Sequence, residues 1–203
     1  MPNTNYHHGD LRQALLIAAQ EILDEQGYEG LTLRKCAARA GVSATAPSHH
    51  FKNASNFLAS VAAEGYKQLS EEIQNSAKDC DPADPKKAML IGKGYIGFAK
   101  RNPALYQLMF GSKVDSKNPE FHRALKQCFG RLEEMIAEVF PDYSERRVEA
   151  TALRTWSLIH GFTLLLLDKR FSFFLENGSF SDEEALEYNF LKTLSFNKVR
   201  QDL

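Results

Sequence analysis

Between Thr32 and Lys52 the chain gathers groups suited to gripping an anion and reading a polar edge. They are the hydroxyls of Thr32, Ser43, Thr45 and Ser48, the guanidinium of Arg34, the imidazoles of His49 and His50, and the ammonium of Lys52. Nothing here is arranged for covalent chemistry: the chain has no nucleophile elbow, no paired carboxylates in apolar surroundings and no H-x-x-x-H pair. Cations and hydroxyls of this kind donate to phosphate oxygens, which position a protein on a duplex. Ala44 and the Thr45 methyl suit contact with a thymine methyl, and the Thr45 hydroxyl suits a base edge. No Arg, Gln or Asn stands at 44–50 for bidentate base reading, so discrimination would lean on Arg34 and DNA shape. His49 and His50 have a second reading, as capping and packing groups at a helix end.

Those side chains need two short helices held at a fixed angle. Thr32 can cap the first, and Leu33, Cys36, Ala37 and Ala40 give it one apolar stripe. Gly41 suits the left-handed end of that helix, Val42 is a small plug, and Ser43 can cap a second helix from Ala44. Two short helices across a glycine turn make a helix-turn-helix, whose second helix enters the major groove. Pro47 falls at the fourth position of that helix, poorly tolerated but not fatal to so short an element.

Further candidates are weighed elsewhere in the chain. His7 and His8 could hold a metal but lack a third ligand nearby, and residues 1–9 read as an arm along DNA or a tail. Cys36, Cys80 and Cys128 are widely spaced and fit neither a disulfide framework nor a zinc site, so a reducing cytoplasm is expected. Gly92, Gly94 and Gly97 spell G-x-G-x-x-G, and Asp115 follows at the distance a dinucleotide fingerprint wants. Pro103 leaves no room for the crossover helix, so the motif reads instead as small residues allowing close packing or bordering a cavity. His160, one turn after Trp156, would offer a ligand one hydrogen bond in an aromatic cavity or satisfy a buried carbonyl. No metal or cofactor is expected.

The first sixty residues resemble the tetracycline-repressor (TetR) family of transcriptional regulators. Leu15, Ala18, Ala19, Gly27, Thr32, Ala37, Gly41, Val42, Ser43, His50, Phe51, Lys52 and Leu58 carry the resemblance. Trp156, His160 and Gly161 form W-x-x-x-H-G, similar to one TetR subgroup named for those letters, whose pattern also implies a proline where Pro47 stands. The family's usual Tyr is here Ser48 and its usual Lys is Ala54, and both normally reach the DNA backbone. The resemblance implies a homodimer paired through its last two helices as a four-helix bundle. It also implies a repressor of a palindromic operator, released by a small-molecule effector. The two reading elements would stand about 34–36 Å apart.

The rest of the chain reads as all-α, with about nine helices and no strand pattern. Asp10 caps helix one, which carries Leu11, Leu15, Ala18 and Ile22 on one face and ends at Gly27. Asn53 caps a long connecting helix, about 53–77, and a Pro-containing linker follows it. Residues 1–55 are assigned to DNA and 78–203 to effector binding and dimerisation. Helices follow from about Lys86 to Arg101, Ala104 to Phe110, Pro119 to Pro141 and Ser144 to about Arg170. The last of these is apolar on more than one side, which favours a dimer. Phe171–Phe180 is expected as a loop, Asp182 as the cap of a final helix, and Val199–Leu203 as a frayed end. Tyr95, Phe98, Tyr106, Met109, Phe110, Trp156 and His160 are the candidate effector residues.

With 203 residues, 43% hydrophobic, the chain can bury a real core, and its net charge of −1 excludes a general polyanion binder. No unbroken apolar run is long enough to span a bilayer, the longest being near Phe162–Leu167, so no membrane partner is expected. An enzyme or small-molecule-binding protein with a degenerate DNA module is the competing reading, kept open by Ser48 and Ala54.

Overall fold

The structure, a computed structural model, describes residues 11–82, 84 and 86–194. The cap at Asp10, the histidines at 7 and 8, the N-terminal arm and the C-terminal end at Val199–Leu203 lie outside the described residues. Among the described residues there are nine α-helices, one four-residue 3-10 turn and no strand. The helices are α1 (Leu11–Gly30), α2 (Leu33–Arg39), α3 (Ala54–Ala77), α4 (Lys86–Arg101) and α5 (Pro103–Phe110), then α6 (Pro119–Val139), α7 (Glu145–Leu167), α8 (Ser172–Glu176) and α9 (Glu183–Thr193). The 3-10 turn, Ala46–His49, lies between α2 and α3.

The chain divides into two compact units whose borders differ from the assigned domains. One comprises 1–66 with 102–125, the other 67–101 with 126–203. In the first, α1 buries Leu15, Leu16, Ala18, Ala19, Ile22 and Leu23, and α2 buries Cys36 and Ala37. Phe51 meets Phe57 edge-on at 5.0 Å, and Tyr66 meets both Phe110 and Phe121 at 5.6 Å. Gly65 admits Met109, whose Sδ would stand 2.6 Å from a Cβ placed there. Asn118 starts α6 by accepting from the amides of Glu120 at 2.9 Å and Phe121 at 3.2 Å. Glu120 then takes the Ser60 hydroxyl at 2.6 Å and pairs with Arg12, so the start of α6 is tied to α1 and α3.

In the second unit α4 packs against α7 and α9, with Phe162 stacked on Phe190 at 3.8 Å. Ile136, Val148 and Ala152 form a further core with Phe129, Leu132, Phe140 and Tyr143 around it. The buried Lys87 ammonium is held by Glu138 at 2.7 Å. Asp182 caps α9 through the Ala185 amide at 2.7 Å. The expected loop 171–180 instead contains α8, because Phe174 and Asn177 amides return to the carbonyls of Phe171 and Phe173. The glycine motif lies on α4, inside a helix and not after a strand.

Helix α7 bears on the membrane expectation without overturning it. Its 23 residues are long and apolar enough, by length and composition, to cross a membrane. The apolar run is broken by Arg154, Thr155, Ser157, His160 and Thr163, so no unbroken apolar stretch in it is long enough to span a bilayer. Its buried side, including Ala152, Ile159, Thr163 and Leu166, is a core face of the second unit.

Candidate nucleic-acid interface

The reading element is built by two local devices. Thr32 has extended backbone and its hydroxyl accepts from the Lys35 amide at 3.2 Å, which starts α2. Gly41, at φ +70°, ends it: its amide returns to the Ala38 carbonyl at 3.1 Å and that of Val42 to Ala37 at 3.0 Å. A left-handed residue closing both bonds is a Schellman end, which glycine enters without a Cβ clash. Helix α2 is thereby seated on α1, and Arg39 fixes the pair by reaching Glu25 at 2.5 Å and Glu21 at 3.3 Å. Those carboxylates raise the Arg39 pKa, and the hydrogen bond from Arg39 lowers that of Glu25.

Beyond Gly41 the structure departs from the expected second α-helix. Ser43 does not cap a helix from Ala44; its hydroxyl lies 3.1 Å from that of Thr45. The turn begins at Ala46, with Thr45 at its N-cap, and the bonds close one residue short: the Ser48 amide goes to Thr45 and that of His50 to Pro47. Pro47 is the physical reason. It has no amide to give, and it sits in the first positions of the turn, where that loss is harmless, rather than in a helix interior. Its ring is buried, and its carbonyl accepts from His50 at 3.0 Å and Phe51 at 2.9 Å, which leads the chain into Asn53. The Asn53 side chain accepts from the Asn56 amide at 2.9 Å and starts α3.

Ser43, Ala44, Thr45, Ser48, His49, His50 and Lys52 are all exposed, as are Thr32 and Arg34. The Ser48 hydroxyl donates to the Thr45 carbonyl at 2.6 Å, so its proton is used inside the turn. Arg34 and Lys52 make no ion pair among the described residues, whereas Arg39 and Lys35 are engaged with α1. The exposed cations there without an ion pair among the described residues are thus Arg34 and Lys52, and the imidazoles of His49 and His50 are exposed as well. One feature escaped the sequence reading. The Arg12 guanidinium lies 5.7 Å from the centre of the Phe51 ring while pairing with Glu120. No local pattern announces a partner 108 residues away.

The candidate effector residues fall into two groups. Tyr106, Met109 and Phe110 belong to the first unit, where Tyr106 and Met109 are buried and Tyr106 lies 4.8 Å from Phe110. Tyr95, Phe98, Trp156 and His160 belong to the second. There the Tyr95 hydroxyl meets His160 Nδ1 at 3.1 Å, and the Trp156 ring lies 6.2 Å from that of His160 and 5.9 Å from Phe129. Burial holds the His160 pKa below the ordinary histidine value. Burial likewise pushes the Cys128 thiol up to about 12 and the Cys36 thiol up to about 11, so neither is a thiolate at neutral pH.

Comparison with known proteins now bears on the arrangement. Residues 15–61 match the family model of bacterial regulatory proteins of the tetR family, and residues 89–186 match that of the tetracyclin repressor-like C-terminal domain. Together the two matches span well over half of the chain.

The chain belongs to the TetR family.

It is 28% identical over 177 residues to an uncharacterised HTH-type transcriptional regulator, YobS, of Bacillus subtilis, covering 84% of this chain and 88% of that one. A protein of unknown function from Rhodococcus sp. RHA1 has a solved structure at a TM-score of 0.71 with 26% identity, covering 95% of this chain and 99% of its own. The transcriptional regulator FadR of Bacillus subtilis, solved in complex with stearoyl-CoA, aligns at a TM-score of 0.62. At 19% identity over 91% of this chain and 98% of its own, FadR shows the shared fold alone. The TetR-family chain is a transcriptional regulator with an N-terminal helix-turn-helix in an all-α fold. The subgroup likeness rests on Trp156, His160 and Gly161, with Pro47.

Proposed function

We propose that this regulator is a repressor that binds a palindromic DNA operator as a homodimer and is released by a small-molecule effector in the cytoplasm. The observation that carries the reading is the exposed segment Ser43–Thr45, held between the Gly41 end of α2 and the buried Pro47 of the 3-10 turn, with Arg34 and Lys52 exposed and making no ion pair among the described residues. Ala44 and the Thr45 methyl would meet thymine methyls, and the hydroxyls a base edge. Arg34, Lys52, His49 and His50 would meet phosphates, and the α2 terminus at Thr32 would add its amides. Ser48 contributes shape rather than a donor, because its proton is committed to Thr45.

Dimerisation is supported by an apolar face left open on α7 and α9. Leu153, Leu158, Leu164, Leu165 and Tyr188 are exposed, and a Cβ at Gly161 would meet nothing within 4 Å. Residues 153, 157, 161, 164 and 165 share one side of α7, so a second copy could approach closely there. Effector binding is placed in the region 78–203. Tyr95, Phe98, Trp156 and His160 are its second-unit residues, Tyr106, Met109 and Phe110 its other candidates. That FadR was solved with stearoyl-CoA supports an effector role for this fold. A tenfold loss of operator affinity needs about 1.4 kcal/mol of coupling.

The test is selection of duplexes from a random pool by the purified chain, followed by footprinting of the winners. The reading requires two inverted half-sites with centres about 34–36 Å apart, about 10 base pairs. A single unrepeated footprint would refute the dimeric operator, and a pool that never converges would favour a binding protein or enzyme with a disabled reading turn.

A further inference from the structure

Three segments of the first unit meet at Arg12. It is the second residue of α1, Phe51 follows the 3-10 turn, and Glu120 stands in the first turn of α6. Arg12 Nη2 donates to Glu120 Oε1, and Glu120 Oε2 takes the Ser60 hydroxyl at 2.6 Å. The guanidinium carbon lies over the Phe51 ring, 5.7 Å from its centre.

Stability does not explain a cation at this place. The N-terminal end of a helix carries partial positive charge, so an arginine in the first turn of α1 is disfavoured by the helix itself. The pair with Glu120 is exposed, at 37% and 36% of the two side chains, where ion pairs contribute little. An uncharged stem would cover Phe51 as well. What the arrangement does is hold a guanidinium in one pose with donors to spare. A guanidinium has five N–H groups in a planar fork. Among the described residues Arg12 makes no hydrogen bond or ion pair other than that from Nη2 to Glu120. Its aromatic seat, Phe51, stands between the exposed His50 and Lys52. Neighbouring Cα atoms are about 3.8 Å apart, so guanidinium, imidazole and ammonium border one short stretch of surface beside the turn.

We propose that Arg12 is a further phosphate contact of the reading element, presented to the DNA backbone by Glu120 and Phe51. The inference rests on the operator reading. A fixed guanidinium matches two oxygens of one phosphate, and such a contact sets the register of a protein on a duplex. Glu120 and Phe51 are positioning residues: one holds the edge of the fork, the other its face.

Single methylphosphonates, each removing one backbone charge, test it when placed in turn along the duplex that the full chain selects. At one position in each half-site the neutral linkage should weaken the parent chain about tenfold. The same linkage should leave Arg12→Gln unaffected, because that contact is already gone. A change that merely disturbed the fold would not single out one phosphate. An unchanged thermal midpoint certifies Arg12→Gln, and Arg12→Met, which keeps the stem over Phe51, replaces it if the midpoint falls. If no position distinguishes variant from parent, Arg12 does not touch phosphate, and the proposal falls while the operator reading stands. If the parent chain prefers no duplex from the random pool, the operator reading fails and this contact with it.

Discussion

The two units solve opposite problems. In the first, a short exposed turn must present a few polar groups in one geometry, and the fold spends caps, a left-handed glycine and a buried proline on holding it. In the second, long helices bury aromatic and aliphatic side chains and leave one apolar face of α7 open. The first depends on backbone geometry set within about ten residues. The second depends on side chains meeting from across the sequence. The contrast teaches that a reading surface can be made with little charge if its shape is fixed, while a binding or pairing surface is made by what the packing leaves uncovered.

The largest effect should come from closing that open face. Leu158→Glu with Leu165→Glu places carboxylates where two exposed leucines stand, and the chain should sediment as a monomer. Losing the second half-site should then weaken operator binding by about 100-fold or more, with helical content unchanged by circular dichroism. A variant that stays dimeric would move the pairing surface elsewhere.

Next comes the charge beside the turn. Arg34→Ala with Lys52→Ala removes two unpaired cations per protomer, and each lost phosphate contact should reduce the slope of log K against log salt by about 0.9. An unchanged slope would assign the phosphates to other groups, His49 and His50 first.

A smaller effect tests the scaffold. Thr32→Ala deletes the acceptor for the Lys35 amide and should cost about 1 kcal/mol, a fall of about 2–4 °C in thermal midpoint. The same change at Asp182, which caps α9 through Ala185, sharpens the comparison: it should lower stability while leaving operator affinity in place.

The smallest concerns His160. Burial depresses its folded pKa, so the unfolded chain takes up the proton first as pH falls. The stability from this residue is full above the unfolded value, near 6.5, and declines as pH drops below it until the folded histidine also titrates. Thermal midpoints at pH 7.5 and 5.5 should differ less in His160→Gln than in the parent chain. Equal differences in both proteins would place the burial penalty on another group.

What the sequence made legible follows the same division. Thr32, Gly41, Asn53 and Asp182 act as their residue types and neighbours implied, because a cap or a left-handed end involves only a few residues. Pro47 was legible as a difficulty but not as its solution, since its effect depends on where the turn begins, and Ser43 turned from cap to partner of Thr45. The Glu120 tie to Arg12 and Ser60, and the Tyr95–His160 bond, join residues 60 to 108 positions apart, and no period in a sequence reports such pairs. The glycines of α4 were visible as a motif. What each packs against, Leu191 at Gly92, Ser76 at Gly94 and Arg101 at Gly97, needed the neighbours.

The segment Ser43–Thr45, between α2 and the 3-10 turn, is the element proposed to read DNA. The most direct measurement is the affinity of the purified chain for its selected duplex and for a scrambled duplex, each at 50 and 200 mM salt. The account predicts a clear preference for the selected sequence at both salts, with both affinities falling as salt rises. Equal affinity for the two duplexes, or binding indifferent to salt, would contradict it.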